Sequence, residues 1–476
     1  MGLINTIVHW YKILKILRSD KDHIANTQQR RLRRMIHYAA GNSEFYQDLY
    51  QGIDLQNCSL QDLPTVTKAA MMDNFDRFVT DKRLKLHEIQ SWLKDKHNDG
   101  NYFLGEFAPF LTSGSTGENA LVVYHRKAVD LIRANLFASY PFQSDRSTYD
   151  HWRTLVRCFL GKKPRLAVIR VLNGNIYQFF KRIPAYHRLF VNMKVLSLMD
   201  SLERIVEELN EFQPDQLVTN TFFIAQLAQE QLAGRLNIVF KHPLSYLAGF
   251  GELLTEHTQT LALQAWNRKI QDTYGAMECF IMATSCDVSG HLHEMGHLCN
   301  IEIVDRNHMP VPPGQFGEKI LLTNLFNYTQ PIIRYEIEDV TGYARQDCGC
   351  GSPLPTMLPV QGRTIDFFYF KNPGGGYDRL LPNLLIIPLM YLHEVRQYQI
   401  VQTARNELTF IYVTQTTGLD IEAKLKQTLK EALAQEGLDS YVRLRFKQTE
   451  FISRHERSGK YVPMISMGAP GDLDAR

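Results

Sequence analysis

Cysteine is scarce and unpaired in number: seven among 476 residues. No small-residue cleavage site follows the apolar segment at the N-terminus, so neither a secretory signal nor a disulfide framework is expected. Long hydrophobic runs are missing too. The longest, Leu380 to Leu392, is too short to span a bilayer and is broken by Pro382 and Pro388, which excludes a transmembrane helix. Charge of one sign is also lacking. There are 53 basic and 50 acidic side chains, a net charge of +3, and no long single-sign block, so composition offers no electrostatic case for nucleic acid. With 44% hydrophobic and 22% charged residues, the chain can bury a large core and is too long for one ordinary domain. A cytoplasmic enzyme of two or three folding units is the default expectation.

The pattern along the chain is α/β. Residues 3 to 18 carry apolar groups at helical spacing with Lys12, Lys15 and Arg18 between them, and Met1-Gly2-Leu3-Ile4-Asn5-Thr6 formally fits a myristoylation pattern. A helix packed on its own domain is the favoured reading there, with membrane contact as the rival. Helical signals occupy much of residues 20 to 98. Between 195 and 240 the order helix (Ser201 to Phe212), strand (Gln216 to Phe222), helix (Phe223 to Leu232) predicts parallel strands. Residues 298 to 343 read as strands. The last hundred read as a strand pair around Asn406, a helix from Asp420 to Gln435 and a strand from Val442 to Phe451. We expect a large N-terminal domain over residues 1–363 and a small α+β lid over 364–476.

Chemistry enters with Thr112-Ser113-Gly114-Ser115-Thr116-Gly117, two glycines and four hydroxyls in six residues. Such a loop suits phosphate, because glycine lets the backbone approach a ligand and N–H and hydroxyl groups can meet phosphoryl oxygens. It is no Walker loop, since Glu118 and Asn119 follow where a Gly-Lys-Ser/Thr ending is required. The loop lies between strand-like segments, Phe107 to Leu111 and Ala120 to Tyr124. Gly251-Glu252, Tyr274-Gly275-Ala276-Met277-Glu278, Arg334 to Asp339, Gly362-Arg363 and Ser458-Gly459-Lys460 then follow in a fixed order. This series resembles the adenylate-forming superfamily. The segments at 31–46, 112–124, 330–339 and 348–363 resemble more narrowly its phenylacetate–CoA ligase branch, and within that branch the CapK-type capsular-polysaccharide proteins.

The resemblance implies activation of a carboxylic acid by ATP as an acyl-AMP, followed by transfer to CoA or another thiol. An alternative is a CapK-like enzyme that transfers the acyl group to an amine, a sugar or a carrier protein. It further implies that residues 112–117 hold the β- and γ-phosphates, with Thr116 and Glu278 as magnesium ligands. Tyr274 would face adenine, Gly275 would permit close approach, and Gly251 and Glu252 would line the base. Met277 stands where the family has Thr or Ser. Asp339 would accept the ribose hydroxyls with Arg363 beside it, whereas Glu336 and Glu338 are expected to be solvated. Lys460 and Glu278 are the catalytic candidates, Lys460 bridging carboxylate and α-phosphate from a lid that rotates. The family's hinge aspartate falls on Ile365 here, with Asp366 one residue later. Tyr140, Phe142, Asn220, Phe222, Gly249, Ala276 and Met277 are the expected acid pocket, whose aromatic content favours a flat apolar acid.

Two further patterns concern metals. Cys348-Gly349-Cys350 places two thiolates on one turn, and Cys286 with His293, or with His291 in its place, would complete four ligands. Similar positions in the resembling branch hold structural zinc. His293-Glu294-Met295-Gly296-His297 also spells H-E-x-x-H, the mark of zinc metalloproteases and a rival function. That motif needs a helix, and Gly290 and Gly296 disfavour one.

Overall fold

The structure, a computed structural model, describes residues 3–112, 119–139, 156, 160–161, 163–170, 175–242, 244–251, 254–286, 288–364, 367–380, 384–385, 389, 395–414, 421–452 and 464–468. The chain divides into two compact units, Met1–Ile337 with Thr341–Pro359 and Glu338–Val340 with Val360–Arg476.

The first unit opens with two helices, α1 (Leu3–Leu17) and α2 (Lys21–Asn42), the second capped where the Asp20 carboxylate accepts from the His23 N–H at 2.7 Å. Short helices fill residues 44 to 94. A hairpin follows, β1 (Phe107–Leu111) antiparallel to β2 (Leu121–His125), with α3 (Arg126–Ser139) directly after it.

An eight-stranded sheet organises the rest of this unit. Its parallel part comprises β3 (Arg165–Arg170), β4 (Asn192–Ser197), β5 (Gln216–Asn220), β6 (Tyr246–Phe250) and β7 (Ile270–Tyr274). Helices α4 (Leu202–Phe212), α5 (Thr221–Leu232) and α6 (Glu256–Trp266) connect these strands. Strands such as Gln-Leu-Val-Thr-Asn of β5 are buried along most of their length, as expected for a parallel sheet covered by helices. Local chemistry sets the helix ends. Ser201 and Thr255 cap α4 and α6 by accepting from backbone N–H groups, and Gln213 and Asn267 end them in left-handed conformations, with φ of 48° and 51°. The sheet continues antiparallel through β8 (Ala283–Ser285) and β9 (Leu292–Glu294). A three-stranded sheet of β10 (Cys299–Val304), β11 (Lys319–Asn324) and β12 (Tyr335–Ile337) follows, and β13 (Thr356–Met357) returns to pair with β9.

In the second unit, β14 (Phe368–Lys371) pairs with β15 (Tyr377–Leu380), and β16 (Val395–Ala404) forms a hairpin with β17 (Glu407–Thr414). A crossover helix, α7 (Ile421–Gln435), leads to β18 (Arg443–Gln448), parallel to β17, and β19 (Met464–Ile465) lies parallel to β16. Alternation along β17 sends Leu408, Phe410 and Tyr412 into a core shared with Phe368, Phe370, Leu425 and Leu429. Residues 338–340 join this unit because Asp339 bridges Arg363 and the Val340 N–H donates to the Gly362 carbonyl at 2.8 Å. The break expected after Arg363 had left them in the larger domain. Among the described residues no helix is long and apolar enough to cross a membrane.

Candidate functional site

In an open α/β sheet, ligands bind at the carboxyl ends of the parallel strands. Here β5, β6 and β7 end side by side, with Asn220 in register with Phe250 and Phe250 with Thr273. Gly251, just beyond β6, takes φ 84°, a left-handed conformation that suits glycine. Gly249, two residues earlier, is closely packed. A Cβ there would lie 2.7 Å from Thr221 Oγ1 and 3.2 Å from Ile270 Cγ2, so the start of α5 could not sit on β6.

Tyr274 ends β7, and the next four residues turn sharply. A Cβ on Gly275 would stand 1.8 Å from the Phe280 carbonyl oxygen, so the close approach that this glycine allows is that of its own chain. Three distant elements clamp the turn. The Tyr124 hydroxyl of β2 donates to the Met277 carbonyl at 2.6 Å, and the Asn324 amide at the end of β11 donates to the Glu278 carbonyl at 2.8 Å. Tyr335 of β12 donates its hydroxyl to the Glu278 side chain, and its own pKa is raised by burial first and by the Glu278 charge second. The carboxylate of Glu278 is thus placed in a largely buried position, 7% exposed.

The base of the phosphate-type loop is fixed as well. Thr112 Oγ1 accepts from the Ala120 N–H at 2.9 Å, and the Thr112 N–H donates to the Ala120 carbonyl at 2.7 Å, which closes the β1–β2 hairpin. Gln330 then ties that hairpin to the β11–β12 connection. Its Oε1 accepts from the Val123 N–H at 2.7 Å and its Nε2 donates to the Leu121 carbonyl at 3.0 Å. Segments around 112, 274–278 and 324–335 are therefore joined by a few hydrogen bonds inside one unit. Ser113, Gly114, Ser115, Thr116, Gly117, Tyr140, Phe142, Glu252, Ile365, Asp366 and Lys460 lie outside the described residues.

Two observations differ from the sequence reading. Glu336, expected in solvent, has a side chain only 11% exposed. It meets Lys319 Nζ at 2.9 Å, the Thr65 hydroxyl at 2.8 Å and His308 at 3.2 Å, because β12 pairs with β11 and bridges Val66. Burial would raise its pKa, but Lys319 and Thr65 outweigh that and lower it. Arg170, not singled out from sequence, ends β3 beside the expected acid pocket. Its Nη1 donates to Asn220 Oδ1 at 2.5 Å, and its guanidinium lies 3.0 Å from the centroid of the Phe250 ring. The signal available in the sequence was an arginine closing the apolar run Leu-Ala-Val-Ile.

Cys286, His293, Cys348 and Cys350 form a second cluster, their ligand atoms all within 4.8 Å of one another. Sulfur separations are 3.6 Å for Cys286–Cys348 and 2.8 Å for Cys348–Cys350, and His293 Nε2 is 3.2 Å from both Cys348 and Cys350. Gly349 and Gly351, with φ of 70° and 79°, wrap the chain around Cys350. Burial would raise the Cys286 thiol, but N–H groups of Ser289 and Val288 and the His293 side chain bring it down to about 6, while burial and Cys348 push Cys350 up to about 12. Three sulfurs and one imidazole gathered in this way are a donor set that can hold a metal ion. His293, not His291, belongs to the cluster.

The H-E-x-x-H string forms no metalloprotease helix. His293 and Glu294 are on strand β9, where successive side chains face opposite ways. Glu294 is buried and raised to about 7, chiefly by burial, while accepting from Tyr343 at 2.6 Å and Gln28 at 2.9 Å. His297 meets Asn135 Oδ1 at 2.8 Å.

No family model matches the chain. Two sequence relatives stand out. Protein CapK of Staphylococcus aureus is 24% identical over 339 residues, 70% of this chain and 65% of that protein. Phenylacetate-coenzyme A ligase of Thermus thermophilus is 26% identical over 204 residues, 42% of this chain and 44% of that one. The chain thus spans less than two thirds of the length of either relative. Among solved structures, 2-hydroxyisobutyryl-CoA ligase in the postadenylation state, with its acyl-AMP, superimposes with a TM-score of 0.66 at 15% identity, covering 96% of this chain and 91% of that one. That likeness is one of fold.

Proposed function

We propose that this chain, a member of the adenylate-forming superfamily in its phenylacetate–CoA ligase-like branch, activates a carboxylic acid with ATP as an acyl-AMP and passes the acyl group to CoA. A carboxylate is a poor electrophile, and oxide is a poor leaving group. Attack of the carboxylate on the α-phosphorus expels pyrophosphate and leaves a carbonyl whose leaving group, AMP, departs readily. The protein has to hold the triphosphate and align the acid, which is a task of positioning and electrostatics.

One observation carries the reading: the β1–β2 hairpin, the Tyr274–Glu278 turn that follows β7 and the 324–335 segment are joined by the Tyr124, Asn324 and Gln330 hydrogen bonds. In this proposal residues 112–117 hold the phosphates, with Gly251, Glu252 and Tyr274 around the adenine. Glu278 and Thr116 hold magnesium, which neutralises phosphate charge. Asp339, with Arg363 bridged to it, takes the ribose hydroxyls. Lys460 acts in adenylation. The acid lies along Asn220, Phe222, Gly249, Ala276 and Met277, with Tyr140, Phe142 and Arg170 as further contacts. Cys286, His293, Cys348 and Cys350 hold a structural zinc that ties the 286–293 hairpin to the 348–350 turn. A cytoplasmic setting accords with this chemistry.

A hydroxylamine-trapping screen over aryl, fatty and amino acids, run with and without CoA, tests the function. Acid-dependent hydroxamate and pyrophosphate, with an acyl-CoA when CoA is present, is the expected result. Adenylation without any CoA product would move the acceptor to an amine, a sugar or a carrier protein, and absence of hydroxamate with every acid would refute the reading.

A further inference from the structure

α1 is docked on one side and bare on the other. Trp10, Ile13 and Leu14 are buried with Ala134 of α3, so the helix is part of the first unit. Starting beside Leu14 and running away from the docked side, at about 100° per residue, Ile7, Tyr11, Lys15, Val8 and Lys12 follow one another round an arc of about 140°. Ile7 is 37%, Val8 42% and Tyr11 53% exposed, and both lysines are exposed as well. Neither lysine makes an ion pair among the described residues. Leu3–Leu17 contains no acid; the nearest in sequence are Asp20 and Asp22 at the start of α2, and Asp130 of α3, close to His9, is paired with Arg133.

The mixture on this face is specific. Three partly exposed large apolar side chains next to one another on one helix face are more than solvation needs, and the core of a protein interface is depleted in lysine. Aliphatic groups, a tyrosine and lysines together suit the boundary of a lipid bilayer, where apolar atoms enter the acyl region, the tyrosine sits among the headgroups and the lysine stems reach back to anionic phosphates.

We propose that the outer face of α1 docks this protein on an anionic membrane surface, as a reversible peripheral attachment. Charge complementarity selects the occupant, since each lysine near an anionic leaflet strengthens binding several-fold. The attachment is independent of the adenylating site.

Co-sedimentation of the full-length protein with vesicles tests it, using phosphatidylcholine alone and phosphatidylcholine mixed with phosphatidylglycerol. Binding to the anionic vesicles that weakens with added salt is expected, with little on the neutral ones. Lys12→Glu with Lys15→Glu should weaken it by more than about thirtyfold, the effect of losing the two lysine charges alone, and Val8→Ser with Tyr11→Ser, at the two most exposed apolar side chains, should weaken it without changing adenylation. Lys12→Gln serves as a milder variant if the double charge reversal lowers Tm. Failure to bind anionic vesicles, equal binding by both vesicle types, or unchanged binding by the variants would overturn the proposal. So would lipid-free self-association that Tyr11→Ser abolishes, which would give the face to a second copy of the chain.

Discussion

Tyr124→Phe removes one oxygen atom and isolates the bond that fastens β2 to the Tyr274–Glu278 turn. The ring is fully buried between Phe280 and Phe326, at centroid distances of 5.5 and 6.0 Å, and the substitution keeps those contacts. The loss is the 2.6 Å bond to the Met277 carbonyl, which is left without that donor. Losing the donor to this part-buried carbonyl costs up to about 1–3 kcal/mol, a fall in Tm of up to a few degrees for a unit of this size. If the bond aligns Glu278 for catalysis, the same energy appears in the rate. At about 1.4 kcal/mol per factor of ten, acid-dependent exchange of pyrophosphate into ATP should drop by roughly 5- to 100-fold. Burial, with Cys279 and Glu278 nearby, keeps the hydroxyl protonated, so the deficit should not vary with pH. A variant that loses stability but keeps the wild-type exchange rate would refute the link between this bond and catalysis.

Three further outcomes are expected. Metal analysis should find one zinc per chain, lost in Cys348→Ser and His293→Ala but retained in His297→Ala, which leaves the Cys/His cluster intact; metal retained in His293→Ala would break the assignment. Asp272 of β7 is raised to about 7 by burial, partly offset by the Thr273 N–H, so the folded state holds a proton that the unfolded chain releases near pH 4. Stability should therefore fall as pH rises from about 4 to 7, and Asp272→Asn should flatten that slope in denaturant titrations at several pH values; an unchanged slope would count against it. Lys460→Ala should abolish adenylate formation yet transfer acyl groups from supplied acyl-AMP to CoA, and normal exchange in this variant would remove Lys460 from the first step.

Much of the fold was legible because its signals are local. The β1–β2 hairpin announces itself by apolar strands on either side of a Ser/Thr/Gly loop, and the alternation around Ser201 to Leu232 follows from caps and periodicity. The cluster of Cys286, His293, Cys348 and Cys350 rests on residue types rare enough to stand out. Features set by contacts between distant segments were hidden. Glu336 looks like an exposed charge until Thr65, 271 residues away, and Lys319 are folded against it. Gly275 packs against the Phe280 carbonyl, a contact of the turn that the sequence does not announce. Arg170 ends an ordinary strand, and only the order β6-β5-β3 brings it to Asn220 and Phe250. Residues 338–340 join the second unit through backbone bridges, which leave no mark in side-chain pattern.

The central claim is that a carboxylate oxygen attacks the α-phosphorus of ATP. Turnover with an acid labelled with oxygen-18 in its carboxyl group, followed by mass spectrometry of the nucleotide product, tests it directly. The account predicts AMP carrying one labelled oxygen, since acyl transfer cleaves the bond on the carbonyl side. Unlabelled AMP, or release of ADP, would contradict it.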